Sequence, residues 1–522
     1  MSLPLSVRPA RGGLPAADVI AVFSDGKAFP LPEGVARTAR EHLERAGFKG
    51  EAHETHALPL PGRTVQTVFV IGAGKAPTLG VIRRGVAAAV RYAKSEGLRT
   101  VAIVASDRKI LNSQPSILNF ASELGRAFAE GAVLANYRFT TYSAETAQRE
   151  KRLALERVEL LVPPKERKTV EEGMQRGIID ATATMLARDL VNEPASRMTP
   201  QSLVDEAEKI VEASRGAIEL TVWDRAQCAK RGMNAFLAVA QGSTAEPAFL
   251  HLVYKPGSRQ EAPASAKATA GRVGSRDTSS KVALIGKGIT FDSGGLSLKP
   301  ADGMETMKID MAGAAAVLGV FSALPKLKLP LEVHGFIAAC ENMPSGSAVK
   351  PGDIVRTASG KTVEILNTDA EGRLTLADTI TEALKVRPQV MVDLATLTGA
   401  CVVALGEEVT GLLSNDDETA QHLLTAAEAA GEYVWRLPLI PEYRANLKSS
   451  VADMKNITGK RYGGAITAAL FLKEFVGDTP WAHLDIAGPS YAEKQTHPAI
   501  PVGGTGVGVR TILRYLELLN NP

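Results

Sequence analysis

The chain predicts an α/β protein of two domains, and three observations carry that prediction. Short apolar runs alternate with helical patterns as far as about residue 170. The alternation resumes beyond a proline-containing break at residues 192–200. The 522 residues also exceed what one ordinary core accommodates. The expected division is a smaller N-terminal α/β domain over residues 1–170, a connecting helix over 171–195, and a larger α/β domain over 196–522.

In the first domain, residues 19–23, 68–71, 101–105 and 158–162 read as strands, and residues 79–93 and 118–134 as helices. Strands separated by helices imply a largely parallel sheet. Gly72 and Gly74 open a dinucleotide-like fingerprint, but Pro77 stands where its third glycine belongs, so the segment reads as a strand-to-helix turn. His53-Glu-Thr-His56 is one residue short of the zinc-protease spacing and reads as an exposed loop.

Residues 167–191 form a long helical pattern that Pro194 and Pro200 end. Helical residues 203–213 follow, then strand-like runs at 218–223, 235–240 and 250–254. Residues 255–281 lose all apolar periodicity and carry six basic side chains against two acidic ones, the pattern of a mobile basic loop. Such a cluster of Lys and Arg also suits a polyanion.

Composition narrows the function classes. With 45% apolar and 22% charged residues the chain is globular, and a net charge of +3 does not by itself point to nucleic acid or membrane. There is no run of 18 apolar residues and no apolar targeting core at the start, so a cytoplasmic protein is expected. Cys228, Cys340 and Cys401 are widely spaced in apolar surroundings, as buried thiols are.

The chemistry concentrates in two stretches. An apolar strand at 282–285 runs into Gly286-Lys-Gly-Ile-Thr-Phe-Asp-Ser-Gly-Gly-Leu-Ser-Leu-Lys-Pro300, followed by Lys308-Ile-Asp-Met311. A strand-like run at 361–366 leads through Asn367-Thr-Asp-Ala-Glu-Gly-Arg-Leu374 to a helix over 375–386. If that second stretch stays extended, Asp369, Glu371 and Arg373 project the same way. The strand ends after Ile285, Leu366 and Leu394 should then form one crevice. Four carboxylates sharing a dry cavity need compensating cations, and two divalent ions balance them. Oxygen-rich ligation without His or Cys favours Mn²⁺, Mg²⁺ or Zn²⁺.

These motifs, in this order, closely resemble the cytosol leucine aminopeptidase family of two-metal exopeptidases, and family-like segments run from residue 192 to residue 489. The resemblance implies that the sheet of the larger, catalytic domain is mixed and flanked by helices. It implies that Asp292, Asp369 and Glu371 hold one ion and that Lys287, Asp292, Asp310 and Glu371 hold the other. Lys287 would ligate as a neutral amine. It further implies attack by a metal-bridging hydroxide, with Lys299 stabilising the carbonyl oxygen and Arg373 holding bicarbonate. Met307, Thr396, Leu397 and Gly399 are expected to line the side-chain pocket. The implied activity is release of N-terminal, Leu-like residues from short peptides during intracellular peptide turnover, by a homohexamer with no membrane association. The alternative class is a DNA-binding accessory role, in addition to peptidase activity or in place of it.

Overall fold

The computed structural model describes residues 3–10, 15–26, 30–60, 65–74, 78–105, 119–256, 281–460 and 462–520. Two compact units divide the chain. One is Met1–Met185 with Ala492–Val502, and the other is Leu186–Tyr491 with Gly503–Pro522.

The first unit holds strands β1 (Leu5–Pro9), β2 (Val19–Ser24), β3 (Thr55–Pro59), β4 (Thr67–Gly72), β5 (Thr100–Val104) and β6 (Arg157–Val162). Its helices are α1 (Glu33–Arg45), α2 (Leu79–Ser95), α3 (Phe120–Asn136) and α4 (Ala144–Arg152). The sheet order is β1-β6-β5-β2-β4-β3, parallel except where β3 runs against β4. Strands β2 and β4 are buried along their whole length, which is why they read as unbroken Val/Ile runs. Alternate β2 side chains feed two cores: Val19, Ala21 and Phe23 enter one, and Ile20 and Val22 the other.

One expectation fails in this unit. His56 lies in a strand, not a loop, because pairing with β4 overrides a weakly patterned Thr-His-Ala-Leu-Pro run. Pro77, invoked against the dinucleotide fingerprint, lies outside the described residues.

Helix α5 (Arg167–Asn192) carries the chain from the first unit into the second. There follow α6 (Pro200–Ala213), β7 (Ile218–Trp223), α7 (Arg225–Lys230), α8 (Asn234–Ala240), β8 (Ala248–Tyr254) and β9 (Lys281–Asp292). Next come α9 (Ala301–Met304), α10 (Ala312–Leu327), β10 (Glu332–Asn342), β11 (Ile354–Arg356), β12 (Thr362–Glu364) and α11 (Gly372–Leu384). Then come β13 (Val390–Ala395), α12 (Gly399–Leu405), β14 (Val409–Ser414), α13 (Asp417–Ala430) and β15 (Tyr433–Arg436). The unit closes with β16 (Met454–Lys455), α14 (Gly464–Val476), β17 (Trp481–Asp485) and α15 (Val509–Asn520). Eight strands form a mixed sheet in the order β15-β14-β17-β13-β9-β10-β8-β7.

Central β9 is parallel to both neighbours, β10 and β13. Helix α10 comes so close to this part of the sheet that a Cβ on Gly313 would stand 2.0 Å from the Leu394 carbonyl oxygen. By length and composition the stretch Ala301–Leu327 could cross a membrane, but most of it is buried inside the unit.

Two segments differ from the sequence reading. Residues 235–240 form helix α8 rather than a strand. A short apolar run does not distinguish the two, and the Asp378 carboxylate accepts the Phe236 N–H (2.9 Å) at the start of this helix. Strand β9 does not stop at Ile285. It continues through Gly286-Lys-Gly to Asp292 because β10 pairs with it, across one register shift between Cys340 and Glu341, as far as Asn342 opposite Asp292. Of the expected basic loop, residues 257–280 lie outside the described residues; Lys255 pairs with Glu219, and Lys281 opens β9.

Candidate active site

The extended β9 places Lys287 inside a central strand and Asp292 at its end. Asp310 follows the 3-10 turn Met307–Ile309 and stands just before α10, where a carboxylate faces the positive end of the helix. Asp369, Glu371 and Arg373 do not alternate along a strand as expected. The chain turns at residues 367–370, with Asn367 Oδ1 accepting the Asp369 N–H (2.8 Å), and enters α11 at Gly372. Convergence is achieved by a turn instead.

Lys287 is buried at the centre. Its Nζ lies 2.7 Å from Asp310 Oδ1 and 2.9 Å from Glu371 Oε1, and donates to the Thr396 carbonyl at 2.9 Å. Gly372 makes room for it, since a Cβ there would meet Lys287 Cε at 2.5 Å. Lys299 joins Asp292 Oδ2 (2.9 Å) to Asp369 Oδ1 (2.5 Å). Asp292 Oδ1 accepts from the Gly294 N–H (2.9 Å) and from Asn342 Nδ2 (2.8 Å), and Asn342 also donates to the Thr368 carbonyl (3.0 Å). Among the described residues, one carboxylate oxygen each of Asp292, Asp369 and Glu371 lies within 4.8 Å of the others.

Burial sets the proton affinities, and neighbouring charges adjust them. Burial, then Glu371 and Asp292, push Asp310 well above the carboxylate range against the pull of Lys287. Burial and Asp292 likewise raise Glu371, and burial raises Asp369. For the lysines, burial favours the neutral amine but loses to the surrounding carboxylates, so both ammonium groups are held firmly charged. Burial brings the Arg373 guanidinium down to about 10, with Glu371 and Asp485 opposing the fall.

Two ammonium groups therefore face four carboxylates, a formal deficit of two positive charges. Among the described residues, Asp310 Oδ2 and Glu371 Oε2 are buried with no hydrogen-bond partner. Buried carboxylate oxygens without partners are costly, and hard divalent cations satisfy that need, so the donor set fits metal ions. Arg373 donates from Nη1 to the Asn456 carbonyl (2.8 Å), while its Nε is buried without a partner.

The expected pocket residues are dispersed in what they touch. Thr396 is buried, and its hydroxyl donates to Asp310 Oδ1 (2.8 Å). The Leu397 N–H donates to Asp485 Oδ1 (3.2 Å). Met307 is half-buried in its 3-10 turn, and Gly399 is exposed. The sequence reading missed Asn342 and Asn456, whose isolated amides leave no motif.

The strand ends do not meet as expected, because β12 belongs to a separate sheet with β11 and β16. The carboxylates gather instead from the end of β9, the start of α10 and the turn into α11, and such a buried cluster short of compensating cations is the kind of site that holds divalent ions in a hydrolase. The comparisons narrow that class. The profile of the cytosol aminopeptidase family, catalytic domain, matches residues 185–513, and that of its N-terminal domain matches residues 19–146. A probable cytosol aminopeptidase of Aquifex aeolicus is 41% identical over 490 residues, covering 93% of this chain and 92% of that one. One from Gloeobacter violaceus is 51% identical over 344 residues, 66% of this chain and 64% of that one. Among solved structures, a tomato leucine aminopeptidase mutant superposes with a TM-score of 0.83 at 32% identity, covering 98% of this chain and 96% of that one. Bottromycin maturation enzyme BotP in complex with Mn gives a TM-score of 0.80 at 38% identity, covering 97% of this chain and all of that one. The chain belongs to the cytosol aminopeptidase family, which is metal-dependent, and is a peptidase.

Proposed function

We propose that this protein is a cytoplasmic leucyl aminopeptidase that removes N-terminal, Leu-like residues from short peptides and serves intracellular peptide turnover as a homohexamer. In this reading Asp292, Asp369 and Glu371 hold one divalent ion, and Lys287, Asp292, Asp310 and Glu371 hold a second. The observation that carries it is the pair of orphaned oxygens, Asp310 Oδ2 and Glu371 Oε2, in a cluster short of positive charge. The leucine aminopeptidase from tomato supports the preference, and the Mn complex of BotP supports manganese, with Zn²⁺ the other candidate.

When bound, the ions supply Lewis acidity and an acidified water. The chain's own groups do the remaining work. Lys299, kept cationic by Asp292 and Asp369, places an ammonium where negative charge grows on the scissile carbonyl oxygen. Arg373, whose buried Nε has no partner, would hold a small planar anion such as bicarbonate, which fits a guanidinium fork. Lys287 must give up its proton to become a ligand, so metal affinity should weaken as pH falls.

The test is release of p-nitroaniline from leucine p-nitroanilide by metal-stripped protein titrated with Mn²⁺ at mildly alkaline pH. Activity should appear only with metal and vanish in Glu371→Ala. A folded protein that binds two ions yet never turns over would overturn the reading.

A further inference from the structure

We infer that Asn456 is a positioning residue that locks the carboxylate-bearing turn and Arg373 into one unit; the inference rests on the metallopeptidase reading of this site. Asn456 follows β16, which pairs with β12 just upstream of the turn, Val363 opposite Met454 and Glu364 opposite Lys455. It is fully buried.

Its amide spends its hydrogen-bonding capacity on the turn. Oδ1 accepts the N–H groups of Leu366 (2.9 Å) and Asn367 (3.4 Å), and Nδ2 donates to the carbonyls of Asn367 (2.6 Å) and Ala370 (3.4 Å). These bonds span both ends of the turn that carries Asp369, and Ala370 is the residue before Glu371. The Asn456 N–H donates to the Glu364 carbonyl (3.0 Å), and the Asn456 carbonyl accepts Arg373 Nη1 (2.8 Å). One residue therefore fixes the approach of two candidate ligands with its side chain and the aim of the guanidinium with its backbone.

The role demands an amide. A carboxylate keeps the Oδ1 contacts but turns an acceptor toward two carbonyl oxygens, and a methyl group removes both sets. Many buried asparagines merely peg loops together. What distinguishes Asn456 is that its loop carries the ligands, so its loss should appear in metal binding and not only in stability. Asn415 provides the contrast, because its amide likewise joins two backbone groups, the Thr479 carbonyl (3.0 Å) and the Trp481 N–H (2.8 Å), away from the site.

The experiment compares full-length wild type, Asn456→Ala, Asn456→Asp and Asn415→Ala after metal stripping. Mn²⁺ binding is followed by the paramagnetic resonance signal of the free ion, and folding by circular dichroism. Substitution at Asn456 should weaken Mn²⁺ binding about 10- to 100-fold, the usual effect of removing a partner that orients ligands. Asn415→Ala should bind as wild type does. Wild-type affinity in a folded Asn456 variant overturns the inference, as does equal weakening by Asn415→Ala.

Amide exchange on metal-free wild type decides the matter if the Asn456 variants do not fold. The Leu366 and Asn367 N–H groups should be protected before metal is added, and fast exchange there overturns the proposal. A wild type that binds no Mn²⁺ counts against the metallopeptidase reading instead, and the exchange result still judges Asn456.

Discussion

Lys287 decides the electrostatics of the site before any metal enters. Buried against Asp310 and Glu371, it is the cation that opposes the rise in their proton affinity that burial imposes. Replacing it by Met removes one partner of a buried ionic cluster, a change that costs about 3–5 kcal/mol. Because Asp310 and Glu371 already bind protons more tightly than free carboxylates, acid should relieve the damage. A carboxylate whose folded pKa is raised contributes most below its unfolded pKa and loses that contribution as pH rises. Urea unfolding of metal-free Lys287→Met should therefore show a large loss at pH 8 and a smaller one at pH 5; equal losses would refute the account. At this scale the charged side chains were legible, because glycine-flanked Asp and Lys in long motifs have few structural explanations. Asn342 and Asn456 were not, since an amide bonded to distant backbone has no sequence period.

Strands β8 and β10 carry a second buried polar cluster, away from the catalytic motifs in sequence. His334 Nε2 lies 2.7 Å from Glu332 Oε1, and His334 Nδ1 lies 2.9 Å from His251 Nε2. The carboxylate can only accept, so His334 donates from Nε2, its Nδ1 accepts, and His251 donates from Nε2. Burial, then His334 and Arg231, bring His251 from 6.5 to about 4. A base with a lowered folded pKa contributes stability that is present above its unfolded pKa and is lost as pH falls through the folded one. His251 should therefore contribute a fall in folding stability of ~3 kcal/mol at most between pH 6.5 and 4, to which the likewise lowered His334 and Glu332 add in the same direction. His251→Gln keeps a donor for His334 and removes the charge, so its unfolding midpoints across that range should be flatter than those of wild type. An unchanged slope would exclude His251 as the source. Elements were legible wherever burial on both faces wrote an unbroken apolar run, as in β2 and β4. They were misread where pairing partners decided the outcome, as in β3 beside β4 and the far half of β9 beside β10.

At the scale of the whole molecule the α/β class followed from the alternation of strands and helices, but the membership of each unit did not. No composition shift marks Ala492–Val502 as part of the first unit, although Ala499 joins its core and the Pro498 carbonyl accepts from Arg91 (3.4 Å). Long-range return of this kind depends on packing that a linear reading does not contain. Assembly is open to direct measurement. Sedimentation velocity should give one boundary near six times the 55.2 kDa chain mass, and a boundary at the chain mass would overturn the proposed hexamer.

The returning segment also orders events during synthesis. The first unit emerges from the ribosome early, yet its last piece is translated only after the roughly 300 intervening residues of the second, on the order of tens of seconds later. Through that interval the place of Ala499 in the core stays unfilled. The amino-terminal third of this enzyme is thus a nascent chain that waits for its own carboxyl end, and a ribosome that stops short of residue 492 releases neither unit complete.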